Sequence, residues 1–286
     1  MNRSELRNKL VELLSLLPLN DTLLGVALHA RMVRQFVSGD AGDQFGLDAA
    51  ARRRLVHRFQ KINQSIPSAT QWPYYIVIAE KLLRIPKSVS GNVVECGCYK
   101  GASTAALSIL CSITGRKLYV CDSFQGLPED DAVAQHNYPH LGVRTRYKKG
   151  SFCGRLEEVK ANVEVLGDVS CCEFVKGYFC DTLPTLNETF VLGFFDVDLA
   201  TSMRDCIKNL WPRFSDNAVI FTDDSCDIEV VKLWFERELW AQIGCNPPGY
   251  IGSGCGLPGV SSKYSSLGYV PKIKAELNMH DFAVSE

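Results

Sequence analysis

The apolar positions along the chain follow two different rhythms. Up to about residue 85 they recur at helical spacing, first through Leu6, Leu10, Leu13 and Leu14, then through Leu23, Leu24, Val26 and Leu28. Pro18 splits this stretch into two helices, and Asn20 or Asp21 is placed to cap the second. Gly39, Gly42 and Gly46 mark a break. The pattern then predicts a polar helix over 48–63 and an apolar one over 74–84 that ends before Pro86.

From Asn92 onward, short apolar runs alternate with amphipathic segments. Strands are predicted at 92–95, 117–121, 170–175, 191–197 and 218–222, and helices at 102–113, 156–166, 203–210 and 230–239. Strands that alternate with helices imply an α/β fold with a mostly parallel, Rossmann-like sheet covered on both faces. Two segments break the alternation. Residues 123–154 have few periodic apolar positions and read as a long loop or lid, and 246–259 (NPPGYIGSGCGLPG) is dense in turn formers. The expected organisation is an N-terminal helical cap over 1–88, which covers the acceptor side and makes an oligomer contact, followed by a catalytic-type domain over 89–286.

Composition narrows the class. With 286 residues, 46% hydrophobic and 22% charged, the chain is an ordinary globular one and lacks a disorder signature. A formal net charge of −1 argues against a strongly basic nucleic-acid surface. Twelve cysteines occur without a single C-x-x-C, and many sit in apolar runs, so they read as reduced and buried rather than as zinc ligands or a disulfide scaffold. Glu12, Asn20 and Asp21 interrupt the apolar N-terminal stretch, so it does not read as a signal peptide or membrane anchor. A cytoplasmic location is expected.

Four motifs carry chemistry. The first, Glu95-Cys-Gly97-Cys-Tyr99-Lys-Gly101-Ala-Ser103, links a strand to a helix. Its glycines permit a tight turn and close approach of a ligand, and the amides that open the helix favour an anionic group. It is not the G-x-G-x-x-G of nicotinamide binders. The second is Asp122 at a strand end, where a carboxylate can accept from both hydroxyls of a ribose. In the third, Gly177 to Pro184, Phe179 can lie on an adenine ring and Asp181 can take its amino group or cap a turn. The fourth sets Asp196 and Asp198 at one strand end and Asp223 and Asp224 at the next. Carboxylates this close repel and take up protons unless a cation joins them, and hard oxygen donors suit Mg²⁺. Because Asp196 and Asp198 alternate faces on an extended strand, only one of them is expected to point into the site.

The order ECGCYKGAS, YVCDSFQGLP, KGYFCDTLP, FFDVDL and TDDS, spanning about 92–226, resembles the macrocin O-methyltransferase family. These are class I methyltransferases that use S-adenosylmethionine and a divalent metal on sugar hydroxyls of natural products. The resemblance implies that Gly97, Tyr99, Gly101 and Ser103 line the methionine end of the cofactor, with Glu95 bracing the loop. Tyr99 and Ser103 also match positions of the related catechol O-methyltransferases. Asp122 would bind the ribose with Ser123 and Phe124 beside it, and Phe179 and Asp181 would frame the adenine. Asp196, Asp223 and Asp224 would hold Mg²⁺, which would bind two vicinal hydroxyls of a small-molecule or glycan acceptor.

The catechol enzymes place a base lysine soon after the metal aspartate, and here the segment Asp-Val-Asp-Leu-Ala has none. In the macrocin group the base is a lid histidine, which points to His140 ahead of His136, while His29, His57 and His280 lie outside the core region. Two departures from the family pattern, Ala200 and Ser225, stand where aromatic residues are usual and would reshape the acceptor pocket. The expected activity is Mg²⁺-dependent O-methylation of a sugar on a natural product or polysaccharide, by a homo-oligomer. The alternatives are a non-catalytic binding protein on the same fold and a nucleotide-dependent oxidoreductase.

Overall fold

The computed structural model describes residues 21–128, 136–138, 143–145, 147–248 and 266–273, with backbone only at 21–28, 136–138 and 143–145. The first expected helix, the cap at 20–21, His140, His280 and most of the turn-dense 246–259 segment lie outside the described residues.

Three helices come first: α1 (Asp21–Ser38), α2 (Ala49–Ser65) and α3 (Trp72–Leu82). The Asp48 carboxylate caps α2 by accepting from the Ala51 amide at 2.6 Å. The break between α1 and α2 is fastened by buried Arg52, which donates to the carbonyls of Val37, Ala41 and Leu47 and pairs with Asp43. Next come β1 (Asn92–Cys96), α4 (Ala102–Thr114) and β2 (Leu118–Asp122), then a small hairpin of β3 (His136–Tyr138) and β4 (Val143–Thr145). The chain continues through α5 (Leu156–Leu166), β5 (Cys172–Lys176), the single turn α6 (Phe179–Thr182), β6 (Phe190–Phe195) and α7 (Ala200–Leu210). It ends with β7 (Phe214–Thr222), α8 (Ile228–Val231), α9 (Arg237–Gln242) and β8 (Gly268–Pro271).

The six-stranded sheet has the order β5-β2-β1-β6-β7-β8, parallel except for β8, which runs antiparallel to β7. This is the α/β, Rossmann-like class I methyltransferase architecture, with the strand order reversing between β1 and β6. Alternate strand residues feed two cores. Val93, Val120 and Phe194 pack with α1–α5 on one face, while Val94, Cys121 and Phe195 pack with α7–α9 on the other. Met32, Phe59 and Tyr75 from α1–α3 belong to the first of these cores, so the helical layer is continuous with the sheet.

The expected helix over 230–239 is broken. α8 runs into a 3₁₀ turn at Lys232–Phe235, and α9 starts afresh after Glu236. The Leu233 carbonyl accepts from the Trp240 indole at 2.9 Å, and Glu236 is held by both guanidinium nitrogens of Arg204. Tertiary packing of Trp211, Trp234 and Trp240 thus overrides a local helical pattern. All cysteines among the described residues are free thiols, and Cys96, Cys111, Cys121 and Cys206 are buried. No described helix is long and apolar enough to cross a membrane.

Candidate active site

Open α/β sheets bind ligands beyond the carboxyl ends of their strands, where the strand order reverses. Here that point lies between β1 and β6, and a cavity of about 650 Å³ opens there. Such a volume suits a nucleoside-sized ligand together with a second small molecule.

One half of the cavity is built by the turns after β1 and β2. Asp122 ends β2, and its carboxylate is fixed by two backbone amides: Cys98 donates to Oδ2 at 2.8 Å and Phe124 to Oδ1 at 2.6 Å. Burial pushes this carboxyl above its ordinary value, while those amides pull it back. Tyr99 and Ser103 line the cavity, and the edge of Tyr99 packs on Phe152. Ser123 also lines it, with its hydroxyl donating to the Gly126 carbonyl at 2.8 Å.

The loop glycines are required by close protein neighbours, and Gly97 also lines the cavity. A Cβ on Gly97 (φ +82°) would sit 1.8 Å from the Asp196 carbonyl oxygen, and one on Gly101 (φ +86°) would sit 2.9 Å from Val159 Cγ1. Gly101 is the N-cap of α4 and is not part of the cavity wall. Glu95 lies beneath the loop, fully buried, and accepts from the Thr104 hydroxyl at 2.6 Å. Burial pushes its carboxyl up to about 8, against the hydroxyls of Ser103 and Thr104.

This gives a stability signature. A carboxyl held protonated by the fold stabilises fully below its ordinary value of 4.5 and loses that contribution as pH rises through about 8. Glu95→Gln cannot ionise. Its melting temperature relative to the parent should therefore climb across that window, with the difference growing by up to about 1 kcal/mol per pH unit. Parallel melting curves for the two proteins from pH 5 to 8.5 would refute a neutral Glu95.

Two residues expected beside the cofactor, Phe124 and Asp181, do not line the cavity. Phe124 is turned into the core against Phe174 and does not line the cavity, because a left-handed backbone (φ +55°) points its side chain away. Asp181 is exposed outside the cavity. Phe179 does line it, and on the helical turn α6 a residue two positions on lies about 200° around the axis.

The other half of the cavity is acidic: Asp196, Asp198 and Asp205 line it, and Asp224, which is outside the lining, adjoins the first two. Asp196, Asp198 and Asp224 each offer a carboxylate oxygen within 4.8 Å of the others. Asp224 Oδ2 accepts from the amides of Val197 and Asp198, both at 3.2 Å. Burial is the main cause that raises all three carboxyls. Asp196 is pushed up to about 6, and the mutual repulsion of neighbouring aspartates adds to the rise at Asp198 and Asp224.

Asp223, expected in the ligand set, is not in this group, and Asp198 is. β7 ends at Thr222 and the chain bends at Asp223, while β6 ends at Phe195 and Asp198 takes a left-handed turn (φ +59°). Strand alternation therefore does not govern Asp196 and Asp198. Hard carboxylate oxygens at this spacing, already repelling one another, fit a divalent cation such as Mg²⁺.

Sequence reasoning also missed Thr201 and Asp205. Both line the cavity from one face of α7 at i, i+4 spacing, which was readable. The Ser225 hydroxyl donates to the Ser266 carbonyl and so ties the segment before β8 to the acidic loop. His136 lies on β3, whose backbone passes beside α8, and its side chain is not described.

Residues 79–237, more than half of the chain, match the family described as macrocin O-methyltransferase (TylF). The chain belongs to this family. Among curated relatives, it is 32% identical over 141 residues to 8-demethyl-8-(2,3-dimethoxy-alpha-L-rhamnosyl)-tetracenomycin-C 4'-O-methyltransferase of Streptomyces olivaceus. That match covers 48% of this chain and 53% of the relative, so the chain spans about half the length of that relative. It is 27% identical over 197 residues to demethyldecarbamoylnovobiocin O-methyltransferase of Streptomyces niveus, covering 62% of this chain and 73% of the other. Among solved structures, the O-methyltransferase NovP aligns with a TM-score of 0.49 and 19% identity, over 89% of this chain and all of that one.

Proposed function

We propose that this macrocin-family protein transfers the methyl group of S-adenosylmethionine to a sugar hydroxyl on a natural product or polysaccharide, with Mg²⁺ in the acidic half of the site. The observation that carries the reading is the shared cavity: the amide-anchored Asp122 lines the same space as Asp196 and Asp198, whose carboxylate oxygens lie within 4.8 Å of that of Asp224. When bound, the cofactor supplies an electrophilic sulfonium methyl, and Mg²⁺ lowers the pKa of an acceptor hydroxyl and fixes its position.

The chain's own residues do the rest. Asp122 accepts from the ribose hydroxyls. Phe179 lies on the adenine, and Tyr99 and Ser103 bound the methionine end, above Glu95 and the turn shaped by Gly97 and Gly101. Asp196, Asp198 and Asp224 hold the cation, and Thr201 and Asp205 of α7 face the acceptor. As the methyl group passes to the acceptor oxygen, with S-adenosylhomocysteine as the leaving product, a base of this chain would take the hydroxyl proton. His140, or His136 on β3, is that base in our reading.

The named acceptor of the S. olivaceus relative is a rhamnosyl unit, which supports a sugar acceptor here. Homo-oligomeric assembly and a cytoplasmic setting belong to the same reading, the latter supported by the buried free thiols. The test is calorimetry with S-adenosylhomocysteine with and without Mg²⁺, followed by methyl transfer to rhamnosylated glycosides. Micromolar cofactor-product binding and metal-dependent turnover are expected. Absence of binding under both conditions would overturn the proposal.

A further inference from the structure

The stretch between α2 and α3 lines the cavity with Pro67, Ser68, Ala69 and Thr70, and Thr70 bonds to its acidic half. Thr70 is 2% exposed. Its hydroxyl donates to Asp196 Oδ2 at 3.2 Å across 126 positions of sequence. The Thr70 carbonyl in turn accepts from Asn63 Nδ2 of α2 at 2.8 Å, which fixes where the hydroxyl sits. Pro73 in the first turn of α3 sets the start of that helix three residues on.

A carboxylate beyond a strand end is free to turn about its Cβ–Cγ bond unless something holds it. Asp224 is held by two amides, while the side-chain bond that holds Asp196 comes from Thr70. Hydrogen bonds of this kind to ligating carboxylates set ligand orientation and metal affinity.

We propose that Thr70 is a positioning residue that holds the Asp196 carboxylate in its cation-binding orientation, so that the N-terminal helical layer forms part of the metal site. This rests on the reading of Asp196 as a metal ligand. Thr70→Val keeps the shape of the side chain and removes the donor, and Thr70→Ser keeps the donor.

The experiment titrates Mn²⁺ into the full-length parent and both variants, followed by electron paramagnetic resonance, with S-adenosylhomocysteine affinity and melting temperature measured alongside. Thr70→Val should weaken Mn²⁺ binding about tenfold. Thr70→Ser should bind within about twofold of the parent, and all three should bind S-adenosylhomocysteine alike. Asn63→Ala, which frees the Thr70 backbone, should give a smaller loss in the same direction. Parent-like Mn²⁺ affinity in Thr70→Val overturns the proposal. So does a Thr70→Ser variant as weak as Thr70→Val, or an equal loss of S-adenosylhomocysteine affinity. Absence of Mn²⁺ binding in the parent itself is a different result, and removes the metal reading along with this one.

Discussion

Asp224→Asn is expected to lower methyl transfer about a thousandfold and to leave S-adenosylhomocysteine binding unchanged. The side chain has two tasks in the fold, and the substitution separates them. One is to accept from the amides of Val197 and Asp198, which an asparagine carbonyl can still do. The other is to supply the third negative charge of the cluster with Asp196 and Asp198. Loss of that charge weakens the cation that polarises the acceptor, an effect of several kcal/mol, and about 4 kcal/mol corresponds to the stated factor. Stability should not fall, because one of three repelling buried carboxylates is removed. Turnover rates with a Mg²⁺ titration, together with a melting curve, check both halves. Full activity that persists in a chelator would sink the metal assignment.

Asp122→Ala is expected to weaken S-adenosylhomocysteine binding roughly a hundredfold, through loss of about 3 kcal/mol of charge-assisted hydrogen bonding to the ribose. It should also destabilise the protein by about 1–3 kcal/mol, because the amides of Cys98 and Phe124 lose their acceptor. Asp122→Asn retains one carbonyl oxygen and should fall between the two. Calorimetric titration separates affinity from stability. An Ala variant that binds within twofold of the parent would show that Asp122 only organises the turn.

The sheet and the helices that pack on it were legible because each strand is a short apolar run and each long helix a periodic one. α5 matches its expected limits of 156–166, and β1 and β2 lie within one residue of theirs. Elements whose form depends on distant partners were not legible. The 230–239 helix breaks where Trp240 claims the Leu233 carbonyl, and the short strands β3, β4 and β8 exist only through pairing. In the site, the position of Asp122 at the cavity could be read because it follows from the end of a strand. Asp198, Phe124 and Asp181 could not, because their directions depend on two left-handed residues and a four-residue helix. Thr70 was invisible for a different reason: its partner Asp196 lies 126 positions away.

The contact between Gly97 and the Asp196 carbonyl has a consequence for redesign. It joins backbone to backbone, and the Asp196 amide donates to the Cys96 carbonyl at 2.9 Å beside it. No exchange of side chains can therefore loosen one loop while leaving the other in place. Substitutions that enlarge the cavity have room to work near Phe179 and Ser123, whereas changes to the turn after β1 would displace the backbone that carries Asp196 as well. The turn after β1 and the start of the acidic loop therefore move as one unit, while the α7 face of the cavity, with Thr201 and Asp205, can vary apart from it.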